Sequence, residues 1–427
     1  MKTVKLFAFA ILAGAMVFTG CKKDDPTSTP TTPSETVKSG LITADETWTN
    51  DKVYILSNKV VVDNGVTLTI EKGTLIKAKA GQGTLASALI VARGGKLMAE
   101  GTATEPIIFT SEADNIVKGE KVGTNLTKND NKLWGGIIIL GDAPISAENG
   151  DTETNIEGIP AEDGYGLFGG SNTAHNGGTL KYVSIRHGGI SIGEGNEING
   201  LTLGGVGSGT IIENVEIYAT LDDGIEFFGG TVNVSKALIF NQGDDGIDID
   251  MNYAGTVSDF AVYHGDGIGT DEGLEIDGPE GSTHTTGLFT LSNGICKSMG
   301  SEPSAADFKS KAQGNINNVT FVGYGTSKPV KFRTKFDGSC GIKDDAYKHL
   351  INNPATLVFT DNIIEASKVY DGDEDLSATP PVPTSCPTEL AAAQAVAAGL
   401  VVGTGAGAGL DVPSTFSWTC AAERGEL

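Results

Sequence analysis

The sequence predicts an all-β chain wound as a right-handed, single-stranded parallel β-helix, closed at its C-terminal end by a short helix and loops. Three observations carry this. An acidic phrase returns at intervals of 22 and then 27 residues, as DDGIEF at Asp222, DDGIDID at Asp244 and DEGLEID at Asp271. The chain has 59 glycines and only 7% aromatic residues, as a series of short strands and tight turns requires. Its apolar residues alternate with period two over short β-branched runs, with no long helical period.

The chain begins with MKTVKLFAFAILAGAMVFTG, in which Lys2 and Lys5 precede 12 apolar residues, Leu6 to Val17. That run is short of the ~20 residues a membrane-crossing helix needs and has the form of a secretory signal. Phe18-Thr19-Gly20-Cys21 resembles a bacterial lipobox, with Phe18 where that motif usually carries Leu. The resemblance implies diacylation of Cys21 and anchoring through its acyl chains. KKDDPTSTPTTPSETVKSG follows, too polar and proline-rich to fold, and reads as a spacer. The organisation expected is a signal peptide over 1–20, a lipidated flexible linker over 21–40, a β-helix over 41–370 and a C-terminal loop, helix and cap over 371–427.

Three consecutive units define the repeat: IIENVEIYATLDDGIEFFGG (211–230), VNVSKALIFNQGDDGIDIDMNYAG (232–255) and TVSDFAVYHGDGIGTDEGLEIDG (256–278). A weaker copy covers 180–206. Val215/Ile217, Ile225/Phe227, Leu238/Phe240, Ile247/Ile249 and Leu274/Ile276 are expected to point inward. A unit this small cannot bury its apolar face alone and must stack on its neighbours. Propeller blades are nearly twice as long, and leucine-rich repeats carry a different pattern. After an Asp/Pro/Ser-rich loop at 371–385, PTELAAAQAVAAGL (387–400) has proline near its start and strong helix formers. It reads as one helix, placed to shield the open end of the solenoid.

Thirty basic against 54 acidic residues give a net charge of −24, and loss of residues 1–20 takes it to −26. Such a surface repels nucleic acid and anionic headgroups, and favours cations or neutral ligands such as sugars. Besides Cys21 there are four cysteines, Cys296, Cys340, Cys386 and Cys420. In an exported chain these predict two disulfides, with three pairings open.

Aligning the acidic phrases puts Asp223, Asp245 and Glu272 in one column, Glu226, Asp248 and Glu275 in a second, and Asp250 and Asp277 in a third. Neighbouring rungs of a β-helix lie about 4.8 Å apart. The acids follow inward residues, so they are expected to face out, where two charges at that spacing repel by about 0.9 kcal/mol even in water. Three compensations exist. Ca²⁺ takes 6–8 oxygens, and Asp222, Asp223, Asp244, Asp245, Asp248, Asp250, Glu275 and Asp277 are its candidate ligands. One acid held protonated beside an ionised neighbour would suit glycoside hydrolysis, with Glu226, Asp248 and Glu275 as catalytic candidates. Lastly, the first acid of each pair accepts backbone N–H groups and the rest is a solvated face. Asp223, Asp245, Glu272 and His264 are candidates for contacting a ligand directly.

The wording of SALIVARGGKLMAEGTATEPIIFTS (87–111), WGGIIILGDAPI (134–145), NEINGLTLGGVGSGT (196–210) and DDGIEFFGGTV (222–232) resembles secreted β-helix lipoproteins of the Bacteroidota. That family has no settled activity. The resemblance therefore implies a fold and an address, the surface of a bacterial outer membrane, as does the charged Cys-Lys-Lys-Asp-Asp start. GDDGI (243–247) resembles the paired aspartates of polygalacturonases, although that family's histidine-glycine and arginine-x-lysine motifs are not evident here. A lyase of the pectate-lyase kind would need a bound Ca²⁺ and a basic residue; Arg186, Lys331, Arg333 and Lys335 qualify by type. Trp48, Trp134, Tyr165 and Phe168 are candidates for a sugar platform. KFRTKFDG (331–338) is a basic island among acids.

Three function classes follow: a binding module for glycan or another surface component, an enzyme acting on acidic polysaccharide, and a structural accessory of an outer-membrane complex. The binding module is preferred.

Overall fold

A computed structural model describes residues 34–193, 196–265, 270–300, 303–372, 385–402 and 409–427. The signal peptide and Cys21 lie outside these residues. From Ser34 to Asp371 the chain is a parallel β-helix with three faces. One face stacks Ala88–Val91, Ile137–Leu140, Leu201–Gly204, Ile225–Phe228, Ile247–Asp250, Leu274–Ile276, Ala306–Phe308, Val330–Thr334 and Ser367–Asp371 in parallel register. Its strands carry the second acidic column; the first lies in the turns that lead into them and the third at their C-terminal ends.

The other two faces share long strands such as Gly178–Arg186, Ile211–Tyr218 and Asn233–Phe240, each bent at a left-handed residue: Tyr182, Asn214 and Lys236. Asparagine tolerates that conformation better than most residues, and later corners use Asn293 and Asn318. Their side chains hydrogen-bond to each other, Asn318 Nδ2 to Asn293 Oδ1 at 3.1 Å.

The interior is one continuous apolar column containing Val215, Ile217, Ile225, Phe227, Ile247, Ile249, Leu274 and Ile276, as the alternation predicts. Leu238 and Phe240 do not join it. Ala237 and Ile239 point inward instead, and Leu238 and Phe240 belong to an outer cluster with Tyr218, Ala261, Val412, Phe416 and Cys420. The left-handed corner at Lys236 resets the phase. The outer face is also covered by the C-terminal segment, so both faces of this strand are apolar and alternation cannot tell them apart.

Ser34–Ile42, mostly within the expected linker, is a strand paired with Lys52–Val62. Its side chains are largely exposed, so backbone pairing rather than burial holds it, which composition does not reveal. At the far end, Pro387–Ala398 is helical and lies on the last strand. Gln394 accepts from Val369 N (3.0 Å) and donates to Val369 O (2.5 Å), closing that open edge.

Residues 411–427 return to the middle rungs. Glu216, fully buried, accepts from Ser184 Oγ (2.5 Å) and from the N–H groups of Cys420 and Ala421 (2.9 Å each), with Arg186 Nη2 at 4.0 Å. Glu216→Gln weakens this charged hub and should cost about 1–3 kcal/mol. Limited proteolysis is expected to cut residues 409–427 of the variant well before the wild type; equal resistance would show that the segment is held otherwise.

The two expected disulfides become one among the described residues, Cys340–Cys386. Cys296 points into the interior column and Cys420 sits in the outer cluster, on opposite sides of the β-wall, so these two cannot meet. Burial pushes both thiols up, Cys420 to about 11, which keeps them unreactive.

Candidate metal centre

The acidic columns form as aligned. Glu226 pairs with Asp248, Asp248 with Glu275, and Glu275 with Asp307 in strand register. In the first column each aspartate accepts from the backbone of the next rung: Asp245 N donates to Asp223 Oδ1 (2.8 Å) and Glu272 N to Asp245 Oδ1 (2.6 Å). Those acids do the work of a hydrogen-bonded ladder along the coil, and not of turn caps within their own rung.

The expectation that the acids form a solvated face is overturned. Asp223, Glu226, Asp245, Asp248 and Glu272 are 6, 6, 4, 9 and 3% exposed. They do leave the coil on its outer side, but the outer side is roofed. A long excursion, 141–177, breaks the rung pattern and lays Ile145, Ile156, Ile159 and Phe168 over the outward Ile138, Leu140 and Phe228. Pro144 O accepts from Gly230 N (2.8 Å), Ser146 N donates to Met251 O (3.0 Å), and Thr283 Oγ1 of a second loop donates to Asp151 O (3.3 Å). Local alternation gives no sign of a roof supplied from 60 to 100 residues away.

Compensation is uneven along the face. At the C-terminal rungs Lys331 pairs with Glu272 and lies 3.8 Å from Asp307, while Arg333 binds Asp307 at 2.6 Å. Lys309 pairs with Glu275 and lies 3.4 Å from Asp277. The basic island thus neutralises the acids beside it. Arg186 is enclosed and bound to Ser184 Oγ at 2.7 Å. Lys335 is exposed. The earlier rungs have no such pairing: no Lys or Arg forms an ion pair with Asp223, Glu226, Asp245, Asp248 or Asp250 among the described residues, although the charge of Lys309 reaches Asp248 and Asp250. Burial first, and the neighbouring carboxylates second, push Asp223, Glu226, Asp245 and Asp248 well above the usual carboxylate range, and Asp250 to about 8. A buried carboxyl in that position holds either a proton or a cation.

Three groups bring carboxylate oxygens within 4.8 Å of one another: Asp222/Asp223/Asp244, Asp223/Glu226/Asp248 and Asp245/Glu272/Glu275. That limit is the span of two Ca–O bonds of about 2.4 Å each. The third group already has Lys331 and Lys309, and Asp244 of the first is exposed. In the second, Asp248 Oδ1 is buried with no hydrogen-bond donor. Asn199 joins it: Nδ2 donates to Glu226, while its buried Oδ1 has no donor. Asp223, Glu226, Asp248 and Asn199 therefore supply hard oxygens of the kind Ca²⁺ takes, to which Mg²⁺ with its stricter octahedron is less suited.

On the face that holds the site, nine strands of the described residues stack in parallel. The sequence profile of the pectate-lyase like β-helix domain matches residues 40–419. The chain belongs to that family. Comparison with curated proteins and with solved structures returned no match.

In this pectate-lyase like β-helix, two of the three catalytic candidates are buried and the third is partly exposed. Glu226 and Asp248 lie under the roof, and Glu275 is paired with Lys309. His264 is fully buried, with Nδ1 3.2 Å from Thr270 Oγ1 and its ring edge-on to Tyr324. Trp48, Trp134 and Phe168 are core residues, whereas Tyr165 is half-buried beside a surface hollow. Asn199 and Lys309 were not singled out from sequence. Both occupy repeat columns: Asn199 in NGLTLGG of the weaker copy, where it stands in place of the first-column acid, and Lys309 in ADFKSK, a copy too degraded to align without the register.

Proposed function

We propose that this chain is a lipid-anchored surface β-helix that works as a glycan-binding module, braced by Ca²⁺ held at Asp223, Glu226, Asp248 and Asn199. One observation carries the reading: a set of buried carboxyls that no Lys or Arg ion-pairs among the described residues, one oxygen of which, Asp248 Oδ1, lacks any donor there. An ion there would offset the repulsion along the columns and tie three rungs together, giving a stiff scaffold for display. Enclosure of the same acids speaks against turnover at them, and membership in a family described by its likeness to pectate lyase speaks for glycan as the ligand class.

Calorimetric titration of chelator-treated protein should show saturable calcium binding that Asp248→Asn abolishes. No heat, or heat unchanged in Asp248→Asn, would remove the ion. Incubation with pectin-like polymers should release no new chain ends; release that stops in Glu226→Gln would establish the enzyme instead.

The anchor rests on Cys21 and the resemblance of its flanks to surface lipoproteins. In a bacterial host, Cys21→Ser should lose incorporation of labelled fatty acid and leave the outer-membrane fraction. A variant that keeps both would refute it.

A further inference from the structure

The excursion that roofs the acids also builds a second feature, lined by none of them. Insertions into a repeat collect on one face and commonly form its binding surface. Here three residues of the excursion (Asp142, Glu153, Asn172) face the rung turns that carry Asn64, Arg93 and Lys96 across an open hollow of about 710 Å³. A second hollow of about 350 Å³ adjoins it at Asn64 and Arg93 and is walled by Tyr165, Asp163 and Leu41. Both volumes fall in the ~300–1,000 Å³ range of small-ligand sites.

We infer that these two hollows form one groove that binds a neutral oligosaccharide, with the Tyr165 ring as its platform and Arg93, Asp142 and Asn172 as its hydroxyl-binding groups. The inference deepens the glycan-binding reading and rests on it, but uses none of the acids assigned to the ion.

The lining suits sugar hydroxyls. Arg93, Glu153, Asp142, Asn64 and Asn172 are planar groups that can address two vicinal hydroxyls at once. Several are already fixed in orientation, which lowers the cost of binding. Arg93 Nη1 donates to Gly169 O at 3.0 Å and pairs with Glu153, and Asn172 Nδ2 donates to Asp142 Oδ1 at 3.2 Å. Tyr165 is held by its hydroxyl, which donates to Asp163 Oδ2 at 2.9 Å, leaving the ring to stack against the C–H face of a pyranose.

Charge selects the class. Arg93 and Lys96 balance Asp142 and Glu153, so the first hollow is close to neutral within a chain of net charge −24. A uronate or sulfated polymer would meet the repulsion of the whole surface without a local excess of cations. A peptide would find little apolar lining beyond Leu41, Leu167 and the one ring.

The test uses the full mature chain and calorimetry with four- to six-unit neutral oligomers (β-1,4-glucan, β-1,4-mannan and β-1,4-xylan) beside oligogalacturonate. At least one neutral oligomer should bind, oligogalacturonate should not, and Tyr165→Ala and Arg93→Ala should each weaken binding tenfold or more. Both variants should still unfold cooperatively and bind calcium as the wild type does, separating a lost site from a lost fold. Binding of a neutral oligomer that neither substitution weakens would overturn the groove while leaving a glycan-binding module. Preference for oligogalacturonate would overturn the ligand class. No binding to any of the four would remove the groove and the glycan reading together, with the calcium result standing separately.

Discussion

Saturating calcium raises the unfolding midpoint of the chelator-treated protein, and a second round of chelation returns it. A ligand that binds only the folded state stabilises it by about 2.7 kcal/mol at a hundredfold excess over its dissociation constant, and by about 4 kcal/mol at a thousandfold. Unfolding separates Asp223, Glu226 and Asp248, which are up to 25 residues apart in the chain and become neighbours only through the coil, so the unfolded chain keeps no such site. Asp248→Asn should abolish the calcium-dependent rise. In chelator the same variant should be as stable as the wild type or more so, because it removes one of several repelling groups from a buried cluster. Glu112→Gln, an exposed acid far from the ladder, should change neither value. A wild-type midpoint indifferent to calcium would leave the buried carboxyls to hold protons.

Lys331→Met destabilises the protein by about 3–5 kcal/mol, the usual consequence of removing one partner of a buried ion pair. The Lys331 side chain is 12% exposed, and those of its partners Glu272 and Asp307 are 4 and 6% exposed. Asp307 retains Arg333 after the substitution. Glu272 retains Ser304 Oγ at 2.7 Å and the more distant charge of Arg333, but loses its ion-pair partner. Burial pushes the Glu272 carboxyl up, but a hydrogen bond from Asp271 and the charge of Lys331 outweigh it and hold the group below its usual range. Adding Glu272→Gln to Lys331→Met should therefore recover much of the loss, a coupling that chemical denaturation of the two single variants and the double variant measures. A cost below about 1 kcal/mol for Lys331→Met would mean that water reaches this end of the ladder.

The repeat was legible because its signal is local. DDGIEF, DDGIDID and DEGLEID carry the turn, the inward residues and the acids within a few positions; the second column read from them matches the strand register pair by pair, and hydrogen bonds from rung to rung link the first. What depended on distant chain was not legible. The acids were expected in solvent because nothing within a rung announces the excursion at 141–177 that covers them. Leu238 and Phe240 were expected inside because the strand has a second apolar neighbour, the segment 411–427, that arrives more than 170 residues later. Cys296 and Cys420 were each expected in a disulfide because cysteine counting ignores which side of a wall each thiol occupies. Lys309 closes two ladder pairs although its repeat copy, ADFKSK, has lost the acidic wording that made the others visible.

Anomalous diffraction from crystals grown with calcium, or with manganese as a stronger scatterer, tests the central claim most directly. A single strong peak is predicted between the strands Ile225–Phe228 and Ile247–Asp250, about 2.3–2.6 Å from carboxylate oxygens of Asp223, Glu226 and Asp248. Maps without a peak there, or with peaks only at exposed acids such as Asp244, would contradict it.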